Sequence, residues 1–337
     1  MMKLLPIVHD KLCRVYITQT LTRWHDGVAR PEWANYWVER YGALTDDEAA
    51  ATKVLREQLL EKGCAFIKEA MRENPTLNDA SVKAFAALSH RVERIYQDAK
   101  PALLQWAERI AHQPPEWFSR MSYGLDTFFH IRGDYELHIY LLPSPPRSNC
   151  GNGDMFVEEG AITLACSGMP LEDDGVFLVL LHEGAHSIHQ KQILNPLVAD
   201  LLDTPYGQRI SEMYWNSPVG ELIGDLPSYI GELVIHSLVP YGALREFYGL
   251  GSSESYWNSI IKRAQELLHR ATTDWGDVYT AWVSAACAKM VPLGREYIVR
   301  QKPLDETFVY GALETFEGIY LRWQQESGKT NPSSRNQ

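Results

Sequence analysis

No stretch of this 337-residue chain stays apolar over the roughly twenty residues that a membrane span requires. The apolar patch at its start, MMKLLPIVHD, is too short for a signal peptide. Basic residues are in the minority: 32 Lys and Arg against 43 Asp and Glu leave a net charge of −11. A phosphate backbone demands a basic face, so nucleic acid is not an expected partner. Cysteines are few, and the five present (Cys13, Cys64, Cys150, Cys166, Cys287) have no paired spacing. An odd, unpatterned set points to free thiols in a reducing compartment, and so to a cytoplasmic location. No internal repeat is visible. What remains is ordinary for a globular chain, with 45% hydrophobic and 22% charged residues, enough for one large domain or two to three smaller ones.

The fold class expected is α+β, predominantly helical. Residues 1–115 read as almost wholly helical. Thr45-Asp46-Asp47-Glu48 is a capping box that heads a helix running to about Glu73. A second helix follows Asn78, with Val82, Phe85, Val92 and Tyr96 at core-facing spacing, and Pro101 fits the first turn of a third. His90 and His112 have no ligand spacing and read as surface or core histidines. From about Met121 the pattern changes. Tyr135–Leu142 alternates and is β-rich, a loop spans Pro143–Gly153, and Gly160–Cys166 is a second strand candidate. Beyond them a helical run from Pro218 towards Ser237 is expected to kink or split at Pro227. Further helices are expected at Ser253–Ala271, Val278–Met290 and Thr307–Trp323, before a polar, disordered tail at 326–337.

Within an apolar run that opens at Val176 stands His182-Glu183-Gly184-Ala185-His186, an H-E-x-x-H string. Two histidines four apart lie on one helical face, about one turn apart, so both imidazoles reach one metal ion. Glu183 projects beside that ion, where it can take a proton from water whose pKa zinc brings to about 7. No other charged residue occurs between Val176 and His189. His189 falls on the same face one turn further along, and a structural role is expected of it.

A catalytic zinc needs a third protein ligand and an open position. A third histidine in the pattern H-E-x-x-H-x-x-G-x-x-H is excluded, because His189 and Gln192 occupy the glycine and histidine places. Asp203 begins an Asp-Thr-Pro-Tyr-Gly fragment but lies only 17 residues past His186. Glu221 opens an E-x-x-x-D, Glu221-Leu222-Ile223-Gly224-Asp225, whose helical spacing puts both carboxylates on one face. Glu221 would then bind zinc while Asp225 accepts the N–H of a ligating histidine. Glu212 and Glu232 are the remaining candidates. Glu221 is favoured.

H182-E-G-A-H186 followed 35 residues later by E221-x-x-x-D225 resembles the gluzincin group of zinc metallopeptidases, of which thermolysin is a member. The resemblance covers about Cys150 to His236. It implies a zincin-like catalytic core, a small sheet over the H-E-x-x-H helix, with a helical part that carries the glutamate. The chain would divide into a helical N-terminal region (1–115), the zincin-like core (116–239), a helical C-terminal region (240–325) and the tail. The resemblance also implies His182, His186 and Glu221 as ligands of one zinc ion, Glu183 as general base, and an oxyanion-stabilising tyrosine or histidine. Tyr229, His236 and Tyr310 are candidates for that last role. The expected activity is hydrolysis of a peptide or small protein substrate. A zinc hydrolase of a non-peptide amide, and a catalytically silent zinc-binding interaction protein, are the alternatives.

Overall fold

The computed structural model describes residues 2–24, 30–146, 151–153, 161–268 and 274–326. Their contacts form two compact units, each built from two separated segments, and the chain crosses between them three times. One unit comprises residues 2–115 and 134–187; the other comprises 116–133 and 188–337. This differs from the consecutive division at 115 and 239 expected from the sequence, because 116–133 and 188–239 belong with the C-terminal helices.

The first unit holds a four-stranded sheet in the order β1-β2-β4-β3: β1 (Met2–Ile7), β2 (Tyr135–Leu142), β3 (Gly151–Gly153) and β4 (Ala161–Ala165). Strands β1, β2 and β4 are parallel, and the short β3 is antiparallel to β4. β2 and β4 fall where alternation and β-branching place them. The expectation of a wholly helical 1–115 is corrected by β1. Its six residues contain Pro6, which an edge strand tolerates because one side of its backbone needs no ladder partner. Every residue of β4 is buried, as befits a central parallel strand covered on both faces.

Among the described residues, five helices of the N-terminal segment accompany the sheet. The Thr45 capping box is present, its hydroxyl accepting from the Glu48 amide and the Glu48 carboxylate accepting from the Thr45 amide. The helix it heads stops at Lys62, because Gly63 takes φ +54° and a new helix, Cys64–Met71, begins. No break occurs at Pro101: one helix runs through Asp79–His112 with that proline inside. Leu88, Val92, Ile95 and Tyr96 before it, and Leu103, Trp106 and Ile110 after it, are all buried, so tertiary packing on both sides outweighs the lost hydrogen bond. Val82, expected to face the core, is 53% exposed; Ser81 and Ala84 take the inward positions. His90 and His112 are exposed.

The second unit is helical. Leu226–Leu238 lies at its centre and packs against Ala285–Val299 and Glu306–Glu326. Phe128, Tyr297 and Phe308 meet edge to face nearby, with centroids 4.9 to 6.2 Å apart. His189 is fully buried, its Nε2 3.0 Å from Asp126 Oδ1, the structural role expected of it. The helices Glu254–Leu268 and Glu306–Glu326 match the expected positions closely. The expected disorder of the tail concerns residues 327–337, which lie outside the described residues. None of the four described cysteines is in a disulfide; Cys150 lies outside the described residues. Among the described residues no helix is long and apolar enough to cross a membrane.

Candidate metal centre

The H-E-x-x-H residues belong to the first unit, at the end of the helix Gly175–Gly184 and the start of the π-helical segment Ala185–Leu194. Gly175–Gly184 is apolar until its last turn and packs against β4. Two features fix its position. At its start, Arg109 pairs with Asp174 and lies over the rings of Trp106 and Phe177, while Trp106 Nε1 donates to the Met169 carbonyl. At its end, Gly184 is needed for close approach, since a Cβ there would stand 3.0 Å from Leu137 of β2 and 3.2 Å from Met2 of β1. The central glycine of the motif thus sets the helix against the sheet.

The expected convergence of the two histidines is present. His182 Nε2 and His186 Nε2 are 3.1 Å apart, with ring centroids separated by 4.6 Å and planes inclined at 75°. Two imidazole nitrogens bound to one zinc at about 2.0–2.1 Å and a tetrahedral angle stand about 3.3 Å apart, so the pair is spaced as two donors to one ion would be. Glu183 Oε1 lies 3.7 Å from His182 Nε2, and the two side chains are 14% and 12% exposed. His186 is likewise partly exposed.

The E-x-x-x-D expectation is corrected within the second unit. Glu221 sits on a single helical turn, Gly220–Ile223, which ends at Gly224 with φ +85°. Asp225 lies beyond that break in extended conformation and caps the next helix, its Oδ1 accepting from the Ser228 amide at 2.6 Å. No common helical face carries the two carboxylates, and the Asp225 side chain serves the cap. Pro227 occupies the first turn of Leu226–Leu238, so the run splits as expected, but at glycine and aspartate ahead of the proline.

The carboxylates weighed as third ligand differ in setting. Asp203, Glu212 and Glu221 are exposed. Glu232 is three-quarters shielded and lies on the buried helix Leu226–Leu238. Its Oε2 is 3.2 Å from His236 Nε2 one turn on, and the Tyr279 hydroxyl donates to the same oxygen at 3.1 Å while standing 3.2 Å from His236 Nε2. Tyr279 opens the π-helical segment Tyr279–Ser284 and stacks on Trp275, centroids 4.9 Å apart. Of the oxyanion candidates, Tyr229 is fully buried and donates to the Trp282 carbonyl at 2.9 Å, so it is a packing residue; burial raises its pKa well above the usual 10. Tyr310 packs near Tyr206, centroids 5.8 Å apart. Sequence reasoning missed Tyr279, which comes from 43 positions past His236 with no motif to mark it. Glu232 and His236 were each named from the sequence, for different roles; their i, i+4 spacing, as the one carboxylate and the one imidazole of this helix, is the signal that pairs them.

Comparison with protein-family models, with curated proteins and with solved structures finds no match.

Proposed function

We propose that this chain is a zinc-dependent hydrolase of peptide bonds, of the gluzincin type, in which His182 and His186 hold one zinc ion. The observation that carries the reading is the 3.1 Å separation of the two Nε2 atoms with the Glu183 carboxylate beside them. Zinc bound there supplies Lewis acidity, polarising the scissile carbonyl and bringing the pKa of water to about 7. Glu183 takes the proton of the attacking water and delivers it to the leaving nitrogen. The apolar helix and the sheet behind it hold the two imidazoles in one orientation, which a reaction of this class needs from its scaffold. A third protein ligand is required; the sequence nominates Glu221, with Asp225 as partner of a ligating histidine, but the exposed turn and the capping role weigh against both. The substrate class is a peptide or small protein lying extended, and the setting is the cytoplasm, in line with the unpatterned cysteines.

The test is hydrolysis of peptide and non-peptide amide panels by the wild type and by Glu183→Gln, each loaded with zinc. Peptide cleavage that disappears in the variant supports the reading. Cleavage of non-peptide amides alone moves the protein to the other hydrolase class. Zinc binding without any Glu183-dependent turnover leaves a silent zinc-binding protein.

A further inference from the structure

We infer that Glu232, His236 and Tyr279 form a metal site of their own, which takes a ferric ion through a carboxylate oxygen, an imidazole nitrogen and a phenolate oxygen. All three residues belong to the second compact unit, and the set uses no residue of the H-E-x-x-H motif, so it stands or falls apart from the zinc reading. Glu232 Oε2, His236 Nε2 and Tyr279 Oη form a triangle with edges of 3.1, 3.2 and 3.2 Å. Donors held at about 2.0–2.2 Å from one cation stand about 2.8–3.6 Å apart, from octahedral to tetrahedral angles. All three edges lie within that range. Hydrogen bonds serve the triangle less completely. Beside an ionised carboxylate the phenol has one proton and Nε2 at most one, so at least one of the three edges carries none. A cation above the triangle engages all three atoms at once.

The scaffold holds each donor. Glu232 and His236 stand one turn apart on the uninterrupted helix Leu226–Leu238, their side chains 24% and 25% exposed. A carboxylate in that setting is costly unless it is paired, hydrogen-bonded or bound to a cation. Tyr279 is held by its stack on Trp275 and by the Asp274 side chain, which caps the turn that delivers it. A π-helical segment beginning at Tyr279 itself is the kind of local irregularity that functional positions favour. Cys287 Sγ donates to the Glu232 carbonyl at 3.7 Å, and burial pushes its thiol well above the usual range, so it serves the backbone and stays protonated. The donor set is therefore two oxygens and one imidazole nitrogen, without sulfur, which suits a hard cation. On binding, the phenol proton leaves to water and the imidazole keeps its proton on Nδ1. Tyrosine ordinarily ionises near pH 10, and a trivalent ion offsets the loss of that proton more fully than a divalent one.

The experiment is titration of the metal-free full-length protein with ferric nitrilotriacetate, read by visible absorption, for the wild type, His182→Ala, Glu232→Gln, His236→Ala and Tyr279→Phe. A phenolate bound to ferric iron gives a charge-transfer band that neither the ferric chelate nor bound zinc produces. Thermal unfolding of each metal-free protein is measured alongside, to separate loss of binding from loss of fold. The wild type and His182→Ala are expected to develop the band at about one iron per chain. Tyr279→Phe should develop none, and Glu232→Gln and His236→Ala should lose most of it at the same ferric concentration, with unfolding temperatures close to the wild type. A band that persists in Tyr279→Phe, or undiminished in both Glu232→Gln and His236→Ala, overturns the inference. So does a band that vanishes in folded His182→Ala. A folded wild type without the band overturns it as well and leaves the zinc reading standing.

Discussion

The carboxylate of Glu48 accepts from the guanidinium of Arg91 at both oxygens, 2.9 Å from Nε to Oε1 and 2.8 Å from Nη2 to Oε2. The same guanidinium donates to the carbonyls of Gly42 and Ala43, each at 2.8 Å, and the pair is largely buried. Arg91 thereby ties the Asp79–His112 helix to the capping box at the start of Asp46–Lys62. Its hydrogen bonds hold the Glu48 carboxyl below its ordinary value of 4.5, despite an opposing push from burial. The unfolded chain, with the ordinary pKa, takes up this proton first as pH falls. The stabilisation is therefore complete above pH 4.5 and is lost as pH drops through the depressed folded value. Denaturant unfolding between pH 3 and 6 should show this acid-side slope reduced in Glu48→Gln. An unchanged slope would remove Glu48 from the account of acid stability.

Glu183→Gln keeps the shape of the site and removes the base. Hydrolysis by the zinc-loaded variant should fall by about 10²- to 10⁴-fold, the usual contribution of a positioned general base. Zinc content should match the wild type. Full activity in the variant would sink the proposed mechanism.

His189 lies in the next turn after the motif, and its buried contact with Asp126 is structural. Truncation in His189→Ala leaves a cavity beside Phe129 and removes a partner of the Asp126 carboxylate. The expected cost is about 2–4 kcal/mol of stability, with zinc affinity kept. A stable variant with lost zinc would instead make His189 part of the metal centre.

Pro101 interrupts the hydrogen bonding of a helix whose apolar stripe continues on both sides. In Pro101→Ala the restored bond and relieved clash favour the helix by about 3 kcal/mol, offset by about 1 kcal/mol from the freer unfolded chain. A net gain of about 1–2 kcal/mol is expected by chemical denaturation. A loss would mean that the proline fits a kink on which the packing depends.

These cases show which parts of the structure were legible in the sequence. Local signals held: the capping box at Thr45, the alternation of Tyr135–Leu142, the β-rich run at Ala161–Ala165, and the helical spacing that brings His182 to His186. Non-local outcomes did not show. β1 is short, carries Pro6 and pairs with a strand more than 130 positions away, so no hairpin signal could announce it. The helix through Pro101 is sustained by tertiary burial against its own local propensity. The break at Gly224 turns on a positive φ, which a glycine permits but does not demand. The i, i+4 reading of Glu221 and Asp225 failed there, while the same spacing of Glu232 and His236, in an uninterrupted helix, did bring two side chains together.

The central claim is that the histidine pair binds zinc, and metal content tests it most directly. Purified wild type and His182→Ala, both reconstituted with zinc and then desalted, would be measured by inductively coupled plasma mass spectrometry. The account predicts about one zinc ion per wild-type chain and near-complete loss in the variant. Wild type that retains no zinc, or a variant that retains as much as the wild type, would contradict it.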